Sequence, residues 1–325
     1  MGGMQSESFF LSIVVPMHNE EESIDVFLSR LLPVVKQLTP NYEIICVNDG
    51  SRDATLGKLI LYHQNNPLIK IINLSRNFGK ERALTAGLDY ARGDIVIPID
   101  ADLQDPPELI HDLVRTWQEG WDVVYATRRV RSGESLLRRA ITALFYILLN
   151  KISEIPIPRD TGDFRLLDKR VVEALCQLPE SGRFVKGLFS WVGFRQTAVL
   201  YDRQPRYAGK TSWNYWKLWN FSLEGFTSFS FLPVRIWSYI GILISFLSML
   251  FAFYFILLKI FKGIAVPGYA SLMVVLLFLG GMILIGLGIQ GEYIGRIFSE
   301  VKKRPLYFVS EMWGLEKDVK KNDHR

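Results

Sequence analysis

The chain has 325 residues, of which 49% are hydrophobic, and a formal net charge of +5 at pH 7. This length suffices for one large domain or two ordinary ones, and a hydrophobic excess after Phe231 argues against a purely soluble protein. The basic clusters come with neither zinc-ligand spacing nor an aromatic RNA-binding motif, so we expect no nucleic acid partner; anionic lipid or phosphate suits them better. Two cysteines in apolar segments, Cys46 and Cys176, predict buried free thiols and a reducing compartment.

The first 128 residues alternate short apolar runs with helical patterns. A strand is predicted at residues 9–16. A helix follows it, because apolar residues recur at helical spacing at Ile24, Phe27, Leu28, Leu31, Leu32 and Val35. Further strands are predicted in YEIICVND, IKIINLS, DIVIPID and WDVVYATR, with a helix after each of the first three. Strands so continuously apolar are typical of parallel sheets covered on both faces. The pattern predicts an α/β fold with a doubly wound, mostly parallel sheet, whose ligands bind beyond the carboxyl ends of the strands.

Three segments lie between this sheet and the C-terminal apolar stretches. Residues 135–152 combine arginines with a short apolar helix pattern, which fits either an interfacial helix or a buried core helix. Residues 160–202 return to mixed α/β structure. Residues 206–232 interleave Trp and Tyr with basic residues, a pattern that favours the membrane interface, so we predict a juxtamembrane segment there.

Two long stretches, residues 236–258 and 263–291, contain no charged side chain. Because a helix needs about 20 apolar residues to cross a bilayer, we predict a hairpin of two transmembrane helices, at 236–258 and 269–290. Basic residues flank its outer ends at Lys210, Lys217, Arg235, Arg296, Lys302, Lys303 and Arg304. The positive-inside rule therefore places the large domain, residues 1–205, and a basic tail, residues 296–325, in the cytoplasm. The many glycines of the second stretch favour close helix packing, within the hairpin or in a homo-oligomer.

An acidic cluster follows the fourth predicted strand, in the stretch DADLQDPPE. On an extended backbone, Asp100 and Asp102 would point into one cleft, where a hard divalent cation such as Mg²⁺ or Mn²⁺ can offset their charge. Asp105 precedes two prolines and is interpreted as a helix cap. Phosphatases that form an aspartyl-phosphate also carry D-x-D, but on the first strand and with Thr or Val where this chain has Gln104, which disfavours that alternative.

Four motifs occur in order, each at the end of a predicted strand: SIVVPMHNEEES, VNDGSRDAT, LSRNFGKERAL and DADLQDPPE. Together they resemble the inverting glycosyltransferases of family 2, which have a GT-A fold. The similarity is greater to the polyprenyl-phosphate sugar transferases, namely dolichyl-phosphate mannose synthases and bacterial bactoprenol glucosyltransferases. The two-span C-terminal hairpin matches the bactoprenol enzymes, so the resemblance covers nearly the whole chain.

The resemblance implies roles for individual residues in binding the donor. The nucleotide-sugar pocket would contain Pro16, Asn19, Glu20, Asp49, Arg76 and Lys80. Within it, Asp49 would bind the base or ribose. Asp102 would be the main metal ligand, Asp100 would face the metal or the ribose, and Gln104 would lie near the sugar or the metal.

Other matched residues would act on the acceptor. Asp163, in DTGDFRLLDK, is the candidate general base. A phosphate acceptor is already ionised at neutral pH, so Asp163 can instead orient the acceptor or interact with a sugar hydroxyl. A structural alternative for Asp163 is a cap before a helix. RYAGKTSWNY resembles the family's R-x-x-G-x-S loop, in which Arg206 and Lys210 would contact phosphates or, alternatively, form a basic patch for anionic lipid. The acceptor phosphate would be bound by Arg128, Arg138, Thr142 and Lys210, with Arg131 and Arg139 as alternatives to the first two.

The function that the resemblance implies is inverting transfer of glucose from UDP-glucose to polyprenyl (undecaprenyl) phosphate at the cytoplasmic membrane, with Mg²⁺ or Mn²⁺. The same reaction with GDP-mannose or a UDP-aminoarabinose donor stays open. A processive polysaccharide synthase is disfavoured, because the chain has neither a Q-x-x-R-W motif nor more apolar stretches. A non-enzymatic nucleotide-sugar sensor is disfavoured because it would not need the acidic residues.

Overall fold

The computed structural model describes residues 9–128, 161–178, 180, 185–201, 232–262 and 268–316. The strands are β1 (Leu11–Met17), β2 (Tyr42–Asn48), β3 (Ile69–Leu74), β4 (Ile95–Pro98), β5 (Val123–Arg128), β6 (Thr161–Asp168), β7 (Gln196–Tyr201) and β8 (Val309–Trp313). The helices are α1 (Ile24–Leu38), α2 (Thr55–Asn65), α3 (Lys80–Tyr90), α4 (Ile110–Gln118), α5 (Lys169–Cys176), α6 (Val185–Trp191), α7 (Leu232–Lys262) and α8 (Tyr269–Val301). The five strands and four helices predicted up to residue 128 are all present.

All eight strands form one sheet, in the order β7-β5-β6-β4-β1-β2-β3-β8. β1 pairs in parallel with both β2 and β4, and β2 pairs in parallel with β3. The antiparallel strand β6 lies between β4 and β5, so β5 keeps the direction of the first four strands. The mostly parallel sheet is therefore confirmed. The placement of β6 was not predictable from order along the chain, because a long connection separates it from β5.

Helices cover both faces of the sheet. The apolar side chains of α1 and α4 share one core with alternate residues of the strands, including Phe27, which is fully buried. α3, α5 and α6 cover the other face, where Phe189 is also fully buried. Burial of each such large apolar side chain contributes about 1.5–3 kcal/mol. This two-sided burial explains why the central strands are apolar at nearly every position.

Residues 236–258 lie in the long helix α7, and residues 269–291 of the second uncharged stretch lie in α8; the apolar side chains described on both helices are mostly exposed. The helices contact each other where Trp237 lies against Gly286; a Cβ there would be 2.0 Å from the indole Nε1. Judged by length and composition, and only among the described residues, one stretch, Phe278–Val301, could cross a membrane, and Tyr239–Phe251 is a shorter apolar stretch. The two-span hairpin and the homo-oligomer therefore remain predictions.

Residues 296–325, predicted as a basic tail, contain structure that the sequence did not suggest. α8 continues to Val301, and β8 then pairs antiparallel with β3 at the edge of the sheet. The Tyr307 hydroxyl also donates a hydrogen bond to the Asp89 carboxylate of α3, at 2.8 Å. The segment after the second apolar helix is thus part of the α/β domain.

Candidate active site

A polar cavity of about 680 Å³ lies at the carboxyl ends of β1, β2 and β3. Its lining includes His18 and Asn19 after β1, Asn48, Gly50, Ser51 and Arg52 at the end of β2, Asn73, Ser75, Arg76 and Asn77 at the end of β3, and Ser310 of β8. This is the edge at which ligands bind in sheets of this type. Amide, hydroxyl and cationic side chains dominate the lining, so the cavity suits a polar, anionic ligand.

Gly50 allows the loop after β3 to approach the end of β2. Its φ is +59°, a backbone conformation that favours glycine, and a Cβ there would lie 2.4 Å from the carbonyl carbon of Arg76. Any side chain at this position would displace the loop that carries Arg76. The glycine of the NDGS motif therefore shapes the cavity through backbone contact.

Asn19 joins the loops after β1 and β2. Its backbone N–H donates to the Ser51 hydroxyl at 3.0 Å, and its side-chain oxygen accepts from the backbone N–H of Arg52 at 2.9 Å. The His18 ring Nδ1 lies 2.8 Å from the carbonyl oxygen of Asp49. Two predicted pocket residues, Asn19 and Arg76, thus line the cavity.

Asp49 has a different environment from the one expected. The residue is 3% exposed, and its two carboxylate oxygens accept hydrogen bonds from the backbone N–H groups of Phe78 and Gly79, at 2.7 and 2.9 Å. Asp49 therefore fixes the loop that leads directly into Lys80 at the start of α3. Each carboxylate oxygen already accepts one backbone hydrogen bond and the residue is buried, and a nucleotide role for Asp49 stays a prediction.

Pro16 and Glu20 do not line the cavity. Pro16 lies within β1. Glu20 anchors the turn before α1: its backbone N–H donates to the Thr55 hydroxyl at 2.9 Å, and its carboxylate accepts from the Ser23 hydroxyl at 2.6 Å. The roles predicted for Pro16 and Glu20 in nucleotide binding stay predictions.

Lys80 lies between two acidic residues that are distant in sequence. Its ammonium donates to the Asp100 carboxylate at 2.7 Å and to the Asp163 carboxylate at 2.6 Å. α3 supplies the lysine, the turn after β4 supplies Asp100, and β6 supplies Asp163. The structure thus brings together three predicted site residues, and Asp163 is a strand residue, not a helix cap. The cap of α5 is Asp168, which accepts from the backbone N–H of Arg170.

The three charged groups of this trio lie close together in an open cleft, which shifts the pKa values of Lys80 and Asp100. The Lys80 side chain is 44% exposed and the Asp100 side chain is 33% exposed. Burial by the surrounding protein lowers the pKa of Lys80, but the charges of Asp100 and Asp163 outweigh burial and raise that pKa well above its ordinary value. Burial is the largest cause of the raised pKa of Asp100, to which the charges of Asp163 and Asp102 add, while Lys80 opposes the shift.

Asp102 lies in a turn and not on extended backbone, because β4 ends at Pro98. Its carboxylate accepts from the backbone N–H of Gln104 at 3.1 Å, and Leu103 between them has a φ of +59°. No group of three or more His, Cys, Asp or Glu side chains that could hold a metal occurs within the described ranges. Two hard carboxylates, Asp100 and Asp102, still fit a Mg²⁺ or Mn²⁺ whose remaining ligands are substrate phosphates and water.

Asp105 is structural, but it is not the helix cap that the sequence suggested. The residue before the short helical turn Pro107–Leu109 is Pro106. Asp105 is instead buried and accepts a hydrogen bond from the hydroxyl of Tyr201, at the end of β7. This bond ties the turn that carries Asp100 and Asp102 to the last residue before the segment containing Arg206.

Several residues predicted to contact the acceptor lie outside the part of the chain that the structure describes. Arg131, Arg138, Arg139, Thr142, Arg206 and Lys210 lie outside the described residues. The backbone of Arg128 ends β5, paired with Tyr201. The predicted interfacial helix at 135–152 also lies outside the described part of the chain.

Sequence reasoning missed Arg165 on β6. It is 3% exposed, its guanidinium lies 3.8 Å from the centre of the Phe189 ring, and it donates to the carbonyl oxygen of Gly162 at 2.7 Å. Burial lowers its pKa to about 10, opposed by the charge of Asp163. A lone arginine inside the apolar strand FRLL was the available signal. His18, Asn48 and Asn73 could have been found from their motifs, whereas Ser310 carries no signal in the sequence.

Comparison with known proteins agrees with this geometry. The family model for Glycosyl transferase family 2 matches residues 12–176, from the second residue of β1 to the end of α5. An uncharacterised glycosyltransferase of Synechocystis sp. is 61% identical over 94% of this chain and 96% of its own length. The chain belongs to glycosyltransferase family 2. The resemblance inferred from the four motifs is thereby confirmed, and the protein is a glycosyltransferase.

Two further similarities extend the comparison. The bactoprenol glucosyl transferase of Shigella phage SfII is 48% identical to this family 2 enzyme, over 93% of this chain and 97% of the phage protein. Among solved structures, glucosyl-3-phosphoglycerate synthase from Mycobacterium tuberculosis, in complex with Mn²⁺, UDP and phosphoglyceric acid, has a TM-score of 0.48 and 24% identity. That match covers 66% of this chain and 75% of the synthase.

Proposed function

We propose that this glycosyltransferase transfers a sugar, glucose from UDP-glucose in the first instance, to the phosphate of a polyprenyl phosphate. The observation that carries the proposal is that a polar, cation-lined cavity and the Lys80–Asp100–Asp163 trio occur at the same edge of the sheet, where the parallel strands have their carboxyl ends. The acceptor class is supported by the name of relatives that are 47–48% identical along nearly their full length.

The cavity suits the nucleoside diphosphate part of the donor. The side-chain amide of Asn73, whose oxygen accepts from the buried Asn48 amide at 2.8 Å, offers hydrogen bonds to a base or a ribose. The Arg76 guanidinium supplies positive charge, and it lies 4.0 Å from the centre of the Phe78 ring, which restricts its position. Asp100 and Asp102 would hold Mg²⁺ or Mn²⁺. When bound, that cation would stabilise negative charge on the leaving nucleoside diphosphate.

The lysine and the two carboxylates around it define the chemistry next to the donor. Two ion pairs fix the ammonium of Lys80, so it is positioned to stabilise charge on the diphosphate as the glycosidic bond breaks. One carboxylate oxygen of Asp163 accepts a hydrogen bond from that ammonium, and an ion-paired carboxylate is a weak base. Because the acceptor phosphate is already ionised, its oxygen can attack the anomeric carbon directly. The bond to the diphosphate breaks on the opposite face, and the configuration inverts.

The membrane part of the proposal rests on α7 and α8. We propose that both helices cross the cytoplasmic membrane as a hairpin and that the α/β domain lies on the cytoplasmic side. Only residues 302–308 separate the end of α8 from β8, which is paired with β3. The exit of the hairpin is therefore held beside the catalytic sheet. This arrangement keeps the active site within reach of a lipid phosphate that cannot leave the bilayer surface.

Sugar transfer is tested with the purified full chain in lipid nanodiscs that contain undecaprenyl phosphate and Mg²⁺ or Mn²⁺. UDP-glucose, GDP-mannose and a UDP-aminoarabinose are supplied in turn, and the lipid product is identified by mass spectrometry. We expect one lipid-linked hexose, and about a 100-fold or greater loss of rate in Asp102→Asn. No transfer from any of these donors would falsify the proposed function, and full activity of Asp102→Asn would exclude Asp102 as a metal ligand.

The hairpin has a test of its own, built on two glycines of α8. A methyl group at Gly286 would meet the Trp237 ring, whereas one at Gly288 would meet nothing within 4 Å. Overpacking costs about 1–3 kcal/mol, while Gly→Ala in an open helix position stabilises by up to about 1 kcal/mol. We expect Gly286→Ala to lower the apparent melting temperature in nanodiscs and Gly288→Ala to keep or raise it. Equal melting temperatures would contradict this packing of α7 on α8.

A further inference from the structure

The strand that follows the second apolar helix contains a β-bulge at the edge of the sheet. In the pairing of β3 with β8, Asn73 lies opposite Glu311 and Leu74 lies opposite Val309, so Ser310 is the extra residue between them. The backbone N–H of Ser75 then bonds to the carbonyl oxygen of Phe308 at 2.9 Å. Bulges redirect side chains and are common beside active sites.

Ser310 lines the polar cavity together with Asn73 and Arg76. Among the described residues that line the cavity, none belongs to the Lys80–Asp100–Asp163 trio or to the turn that carries Asp102. Ser310 therefore lies on the part of the cavity that is formed by the ends of β2 and β3, away from the acidic residues. In a donor bound with its diphosphate next to those acidic residues, this part of the cavity faces the nucleoside.

The residues around the bulge also support Arg76. Phe308, two residues before Ser310, packs against Phe78 with 6.4 Å between ring centres, and Phe78 in turn carries the guanidinium of Arg76. β8 thus contributes the exposed Ser310 hydroxyl to the cavity, and Phe308, directly before β8, contributes an aromatic ring that supports the cation of the cavity. Both contributions come from a segment that lies outside the matched family region, residues 12–176.

We propose that β8 forms a wall of the donor site and that Ser310 is a donor-specificity residue, whose hydroxyl contacts the base or ribose of a nucleoside diphosphate. This inference rests on the proposed function, because it takes the cavity to be the nucleotide site. A hydroxyl both donates and accepts, so it can bond to a ribose hydroxyl or to the polar edge of a base. The segment that leaves the membrane hairpin then takes part directly in donor recognition.

The test measures nucleotide binding separately from catalysis. Binding of UDP and of GDP to the full chain in detergent is measured by titration calorimetry, for the unchanged protein and for Ser310→Ala, Ser310→Phe, Glu311→Ala and Glu311→Phe. Glu311 is the matched control, because it is exposed on the same strand but does not line the cavity. We expect Ser310→Phe to weaken UDP binding by about tenfold or more through steric exclusion. Ser310→Ala should weaken it about two- to tenfold through loss of one hydrogen bond.

The Glu311 variants should bind UDP within about twofold of the unchanged protein, since an exposed substitution outside a binding site changes the free energy little. Ser310→Ala removes only one oxygen atom, so it decides the question if Ser310→Phe fails to fold. The inference is overturned if both Ser310 variants bind UDP and GDP as the unchanged protein does, if the Glu311 variants lose as much affinity, or if the unchanged protein binds neither nucleotide.

Failure of the proposed function gives a different result. Nucleotide binding that depends on Ser310, without sugar transfer to undecaprenyl phosphate from any donor, would support the role of β8 and reject the acceptor. Sugar transfer with nucleotide binding that is indifferent to Ser310 would support the function and reject the role of β8.

Discussion

Two ionic clusters occupy opposite ends of the same sheet and differ in how completely their charges are satisfied. The amino-end cluster comprises Ser12, Glu43 and Lys70, which are the second residues of β1, β2 and β3. The carboxyl-end cluster comprises Lys80, Asp100 and Asp163. The amino-end cluster contains one ion pair and the carboxyl-end cluster contains two, and all three are shorter than 3 Å, so distance alone does not tell which cluster is functional.

In the amino-end cluster the carboxylate is closed off from solvent and saturated. Glu43 is 0% exposed and accepts from the Ser12 hydroxyl at 2.5 Å, the Lys70 ammonium at 2.6 Å and the backbone N–H of Arg92 at 2.8 Å. One negative charge meets one positive charge. No ligand can reach a carboxylate that is closed to solvent, so the cluster is structural: it joins β2 to β1, to β3 and to the loop after α3.

In the carboxyl-end cluster one ammonium faces two carboxylates, which leaves an excess of negative charge beside an open cleft. The raised pKa of Asp100 reflects burial and the neighbouring charges of Asp163 and Asp102. Titratable groups with shifted pKa values in a cleft are typical of active sites. Charge balance and access to solvent, more than the presence of ion pairs, therefore distinguish a structural cluster from a functional one.

The largest expected effect is on stability, from Glu43→Ala. Removal of one partner of a buried ion pair costs about 3–5 kcal/mol, which corresponds to a fall of at least about 6 °C in the apparent melting temperature. The transfer rate per folded molecule should stay within about twofold, because the cluster is at the far edge of the sheet. Glu43→Gln, which keeps an oxygen acceptor for Ser12 and Arg92, should lose less stability. A transfer rate that falls more than tenfold in soluble, folded Glu43→Gln would contradict the division between the clusters.

The converse effect is expected of Lys80→Met, which keeps a long side chain without the charge. Loss of one preorganised charge at a developing anion typically costs about 100- to 1,000-fold in rate. Partly exposed ion pairs contribute about 0–1 kcal/mol each, so the melting temperature should change by only a few degrees. Initial rates and thermal unfolding on the same preparation separate the two quantities. Lys80→Arg keeps the charge and should recover part of the rate; a rate for Lys80→Met equal to that of the unchanged enzyme would remove Lys80 from the active site.

Much of this site was predictable from the sequence, because parallel strands deliver their following loops to one edge. Asn19, Arg76 and Asp100 each follow a recognisable apolar strand, and family motifs named them. Asp163 was also named, but as a base or cap. Its ion pair with Lys80 depends on the antiparallel insertion of β6 beside β4, which periodicity cannot reveal because strand order is set by tertiary packing.

In the region after residue 296, even less of the structure could be predicted from the sequence. The strand β8 has only five residues, VSEMW, whose polarity alternates weakly. Because a basic run precedes them, the composition suggested a tail. Pairing with the free edge of β3 makes them a strand, and the bulge at Ser310 depends on the register of that pairing. Saturation of Asp49 by the backbone of residues 78 and 79 was equally invisible, because it depends on a loop conformation that Gly50 permits.

The smallest expected effect is a dependence on pH that only the carboxyl-end cluster should show. Lys80 lowers the pKa of Asp100 against burial, so Lys80→Met should raise that pKa further above its unfolded value of about 3.9. A raised folded-state pKa means that the ionised carboxylate destabilises the fold. The penalty is absent below the unfolded pKa and grows as pH rises from there to the folded-state pKa.

Lys80→Met should therefore melt closer to the unchanged protein at pH 5 than at pH 7.5. In the unchanged protein, the raised pKa of Lys80 keeps its ammonium charged throughout this pH range. Titration of Lys80 therefore adds no difference in melting temperature between pH 5 and pH 7.5. Asp163→Asn added to Lys80→Met removes one repelling carboxylate and should reduce the difference. In Glu43→Ala no carboxylate remains at the amino-end cluster, so its melting deficit should be similar at both pH values. A deficit of Lys80→Met that is constant from pH 5 to 7.5 would mean that the two carboxylates do not share one electrostatic environment in the cleft.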